Sequence, residues 1–88
     1  MRYNKGDLLE ISLEISFFTK KVGYTVEYLG IEPELNRFSG KVIIVNHDNH
    51  DITKFMPLYS IGIGDTVYFL DVEVMRKIPE NEKVFYKL

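Results

Sequence analysis

The stretch Val45-Asn46-His47-Asp48-Asn49-His50-Asp51-Ile52 holds both histidines of the chain, in a tandem Asn-His-Asp triplet. Imidazole and carboxylate together suit Zn²⁺, Ni²⁺ or Mn²⁺, and a tight turn converges side chains three apart that a strand would send to opposite faces. His47, Asp48, His50 and Asp51 are therefore the candidate metal ligands. The same loop is the one place where a histidine general base could stand. A plainer account competes with both. Asn and Asp favour turns because their side chains bond their own backbone, and apolar strand-like runs flank the stretch on both sides. That account needs no metal, and it is the preferred one; no cofactor is expected.

Other catalytic equipment is sparse. Cysteine is absent, which excludes thiolate chemistry, disulfides and cysteine-ligated zinc or iron–sulfur sites, and is compatible with a reducing compartment. A serine nucleophile would have to be Ser39 or Ser60, and neither sits in a Gly-x-Ser-x-Gly elbow. Asp71 and Glu73 fall on one side of a strand-like run, where a solvated polar face explains them. Gly62-x-Gly64 precedes a strand, without the helix N-terminus that helps phosphate loops bind their anion, and so reads as turn chemistry. The chain is expected not to be an enzyme.

Eighty-eight residues make one domain, 1–88, with a single core. Eleven basic and thirteen acidic side chains leave a net charge of −2, so no global positive field draws a phosphate backbone. No run approaches the roughly 20 apolar residues that span a bilayer, and the first residues lack a signal-peptide core. A cytoplasmic location follows as the default expectation.

Alanine and glutamine are missing while Ile, Val, Tyr and Phe abound, so β-formers dominate over helix formers. Leu9, Ile11, Leu13, Ile15 and Phe17 alternate with polar residues as a long half-buried strand. Val22, Tyr24, Val26 and Tyr28 resume the alternation after Lys20-Lys21, and the two runs predict an antiparallel hairpin. Gly30 to Arg37 reads as a loop, Gly40 to Asn46 as a strand covered on both faces, and Ile52 to Met56 as a strand stopped by Pro57. Thr66 to Ile78 reads as a second long strand with Tyr68, Leu70, Val72 and Val74 sharing a face, and with Val67 and Phe69 its first half is expected to be covered on both sides. Pro79 to Glu82 turns the chain into a last strand, Lys83 to Leu88. Long strands in a small domain must curl. The expected fold is all-β: a strongly bent antiparallel sheet of about six strands, forming a small barrel or a compact sandwich.

Val26-Glu27-Tyr28-Leu29-Gly30, then Phe38-Ser39-Gly40-Lys41-Val42, then Ile63-Gly64-Asp65-Thr66-Val67-Tyr68-Phe69 resemble, in order of features, the small SH3-type barrels, and also Sm-like RNA-binding proteins. The resemblance covers Val26 to Phe69 and implies an SH3-like barrel. It also departs from the Sm-like pattern. Asn46 and Asn49 or His50 fall only near the base-holding places of that family, a strand stands where its first helix would be, and its basic-residue–glycine signature is here Ile63-Gly64.

Binding is the remaining class of function. Tyr24, Tyr28 and Tyr59 could stack on bases, with Lys20, Lys21 or Lys41 meeting phosphate, although residues sharing faces with Val or Leu belong first to a core. Tyrosines on strand faces with a mixed-charge rim also suit protein interfaces. The expectation is a non-catalytic binding protein that acts on a protein partner or by self-association, in the manner of a phage or mobile-element accessory or inhibitor protein. Its candidate ligand-binding residues are Tyr24, Tyr28, Lys41, His47, Asn49, His50 and Tyr59. The alternatives are an RNA- or nucleotide-binding barrel and a metal-dependent site at His47 to Asp51.

Overall fold

The computed structural model describes residues 2–15, 20–45 and 61–86. Five strands form one antiparallel sheet in the order β4-β3-β2-β1-β5. They are β1 (Leu8–Ile15), β2 (Lys20–Glu32), β3 (Arg37–Val45), β4 (Thr66–Phe69) and β5 (Val74–Lys77). The expected all-β class holds. The first hairpin is the one that alternation predicts, with Leu9 opposite Val26 and Ile11 opposite Tyr24. Leu9, Ile11, Val22, Tyr24, Val26 and Tyr28 are all buried, beneath Val42, Val67 and Phe69 from the other half of the sheet.

Strand β2 is long enough to serve both halves, and it bends where its pairing with β3 shifts, at Thr25/Val26 and again at Tyr28/Gly30. Gly30 takes a positive φ of 123° at the second shift, a conformation that side-chain-bearing residues resist. On β3, Gly40 lies under the fold of the sheet. A Cβ there would stand 2.7 Å from Val26 Cγ2 and 3.1 Å from Phe69 Cε1, so the absence of a side chain lets the two halves close on each other.

Several expectations fail. Gly30 to Arg37 is not all loop: β2 and β3 extend into it and leave only the turn Pro33 to Asn36, with Asn36 at φ 52°. Thr66 to Ile78 is not one strand, because a 3-10 turn, Asp71–Glu73, separates β4 from β5. Glu73 builds that turn locally. Its carboxylate accepts the Leu70 N–H at 2.7 Å and its N–H donates to the Leu70 carbonyl at 2.9 Å. The described part of the expected last strand, Lys83 to Tyr86, is not a strand either, since Glu80–Tyr86 is a 3-10 segment; Pro79 starts it by accepting the Glu82 N–H. Five strands therefore stand among the described residues in place of about six, and the expected strand Ile52 to Met56 lies outside them.

The expected cover on both faces of β4 holds on one face only. Val67 and Phe69 are buried while Tyr68 and Leu70 are exposed. Four consecutive apolar residues carry no period, so the partner strand decides: Val67 falls opposite Gly40 and Phe69 opposite Phe38.

The chain ahead of β1 folds onto the core. Tyr3 is buried, and Asp7 closes a turn by accepting the Asn4 N–H at 2.8 Å. Asp7 is itself buried beside Lys77 at 3.3 Å and Lys83 at 4.0 Å. Burial alone pushes its carboxyl group up, but the Asn4 N–H and the two ammonium groups hold it below the ordinary aspartate value. The carboxylate thus ties the first turn to β5 and to the last 3-10 segment.

Candidate functional site

The end of β2, the start of β3 and the end of β4 meet at one corner of the sheet and enclose a recess of about 170 Å³, lined by Ile31, Asn36, Arg37, Phe38, Phe69, Leu70 and Asp71. Pairing explains the meeting, because Ile31 is opposite Phe38 and Phe38 is opposite Phe69. Phe38 is the hub beneath. Its ring stands edge-on to Phe69 at 5.9 Å, to Tyr28 at 5.8 Å and to Tyr3 at 5.8 Å, the spacing that aromatic quadrupoles favour. The floor is thus packed aromatic and apolar surface.

The rim is mixed. Ile31 is 48% exposed and Leu70 39% exposed, with Leu35 and Val72 exposed beside them in the chain. Asp71 accepts the Tyr3 hydroxyl at 2.9 Å and pairs with Arg2. Burial first, and then this bond to the carboxylate, pushes the Tyr3 phenol above its ordinary value. Among the described residues Arg37 makes no ion pair, so its exposed guanidinium is open to an anionic neighbour.

A recess of this size lies below the roughly 300–1,000 Å³ of small-molecule and cofactor sites. It matches one aliphatic side chain in scale. In its lining Asp71 is engaged by Tyr3 and Arg2, and Glu73 next to it in the chain by the Leu70 N–H. Asp71 and Glu73 belong to the 3-10 turn rather than to a strand face, and each has a structural role.

Of the residues singled out from the sequence, Tyr24 and Tyr28 lie in the core, each 1% exposed, with no ring face open to a base. Burial raises both phenols above their ordinary value. Lys41 is exposed on β3, opposite Glu27 and Thr66. The structure therefore does not bring Lys41 together with the two tyrosines. His47, Asp48, Asn49, His50, Asp51 and Tyr59 lie outside the described residues.

Ser39 donates its hydroxyl to the Gly30 carbonyl at 3.2 Å. In the Gly62 to Gly64 turn the Gly62 N–H donates to the Asp65 carboxylate at 2.8 Å, which occupies the position an anion would need. Sequence reasoning missed Ile31, Arg37, Phe38 and Leu70 as a group, because they come from three segments that only strand register brings together. Phe85 is 81% exposed on the last 3-10 segment.

No helix among the described residues is long and apolar enough to cross a membrane. Compared with known proteins, the chain matches no family model, no curated protein and no solved structure.

Proposed function

We propose that this protein is a non-catalytic, cytoplasmic binding module that takes an apolar side chain of a protein partner into the recess at the β2–β3–β4 corner. The observation that carries the reading is the recess itself, with exposed Ile31 and Leu70 standing over the Phe38 and Phe69 rings. An apolar, aromatic floor inside a rim of exposed aliphatic and charged residues suits an interface hot spot, where an anchor side chain is desolvated while the rim fixes register. Arg37 adds a preference for an acidic residue near the anchor. A role as a small accessory or inhibitor protein of a phage or mobile element, which size and composition suggest, is one form such partner binding takes.

A random-peptide display selection against the immobilised protein tests this reading. The expected outcome is a family of peptides with one aliphatic or aromatic anchor and a neighbouring acidic residue, which fail to bind Leu70→Glu. No enrichment, or peptides that bind Leu70→Glu as well as the native protein, would overturn it. The Leu70 side chain can be replaced without touching the main-chain bonds that cap the 3-10 turn, so a normal melting curve is expected for the variant.

A further inference from the structure

The two edges of the sheet are unlike. Strand β5 is protected: its register slips between Glu10 and Ile11, and Arg76 is pinned by Glu10 at 3.1 Å and Glu82 at 2.9 Å beside exposed Lys77. Bulges and charges of this kind discourage strand addition. Strand β4 carries none of them within its own span, as Thr66-Val67-Tyr68-Phe69 is uncharged, free of proline and rich in β-forming residues; a bulge at Gly64 and Asp65 opposite Val42 comes before it.

The parity of the ladder shows what β4 presents. Val42 donates to the Asp65 carbonyl at 2.9 Å and accepts the Gly64 N–H at 2.8 Å. Bonded and non-bonded pairs alternate in an antiparallel ladder, so counting by two makes Gly40/Val67 and Phe38/Phe69 the bonded pairs. Thr66 and Tyr68 then turn their N–H and C=O groups away from β3. Among the described residues no strand lies on that side, and a cleft of about 440 Å³ lined by Leu13, Ile61, Asp65, Thr66, Val67 and Tyr68 runs along it.

We infer that β4 is a self-pairing edge, and that two copies of this chain join there as an antiparallel dimer with a two-fold axis at Val67. The register is self-complementary. Thr66 of one copy falls opposite Tyr68 of the other, so the outward-facing groups of both copies meet in about four main-chain hydrogen bonds. A two-fold axis sets a strand against itself, which would bring cations together at β5 but brings no charges together along β4. Asp65 falls opposite Phe69 of the second copy rather than opposite another carboxylate. On the outer face Tyr68 covers the other copy's Thr66, an aromatic–β-branched pair that sheets favour. A second copy also suits this edge better than a flexible peptide does, because β4 is already ordered. Ordering a loose peptide would cost about as much as so few bonds return.

The interface is small, so the dimer is expected to be weak. Sedimentation analysis and amide hydrogen exchange of the full chain, from about 10 µM to about 1 mM, test the inference. The mass should rise toward a dimer with concentration. The Thr66 and Tyr68 amides should gain protection in step, while Val67 and Phe69 stay protected throughout. The double variant Thr66→Lys/Tyr68→Lys should remain monomeric, and mixing it with Thr66→Glu/Tyr68→Glu should restore a one-to-one dimer. A monomer at every concentration, Thr66 and Tyr68 amides protected at every concentration, a lysine variant that dimerises like the native chain, or a charge-swapped mixture that does not pair would each overturn it. If the variants do not fold, the amide pattern of the native chain decides alone.

Discussion

Single residues hold this fold at a few identifiable points. Gly40 is one, because the side chains of Val26 and Phe69 occupy the space any Cβ would take. Gly40→Ala is expected to cost about 1–3 kcal/mol through forced displacement of the two sheet halves, read as a lowered midpoint in urea. Asp7 is another. Its carboxyl group is depressed in the folded state, so the stability it supplies is fully present above the unfolded value, near 3.9, and is lost as pH falls through the lower folded value. A stability profile should therefore fall off below about pH 4. Asp7→Asn should flatten that acid limb and cost about 1–3 kcal/mol at neutral pH, measured by urea unfolding at each pH.

At the scale of elements, the first hairpin was legible in the sequence and the second half of the sheet was not. Leu9 to Leu13 and Val22 to Tyr28 alternate cleanly, and each inward residue proved buried or half-buried. Val67 to Leu70 offers no alternation, so its face is set by Gly40 and Phe38 across the ladder, a tertiary fact with no local signal. The 3-10 turn after β4 had a local signal that hydrophobic patterning overlooks: Glu73 three residues after Leu70, where its carboxylate reaches the Leu70 N–H. Glu73→Ala should loosen this turn and cost about 0.5–1.5 kcal/mol. Amide exchange should show the loss confined to Leu70 and the start of β5.

For the whole molecule, the sequence indicated the all-β class through its composition, but the recess was hidden because its lining is scattered from Ile31 to Asp71. Of the stacking candidates, Tyr24 and Tyr28 lie in the core, as their shared faces with valines suggested. That core has a pH signature. Burial raises the Tyr24 and Tyr28 phenols, and burial together with the Asp71 carboxylate raises Tyr3. Stability from these groups is present below the ordinary value near 10 and is lost as pH rises through their higher folded values. Spectrophotometric titration should show a class of late-ionising tyrosines whose release coincides with alkaline unfolding. If the corner recess binds a partner's apolar side chain, the most direct measurement is the affinity of a selected peptide for the native protein and for Leu70→Glu, by calorimetry. A loss of tenfold or more in the variant, with an unchanged melting curve, is the predicted result. Equal affinity for both proteins would contradict it.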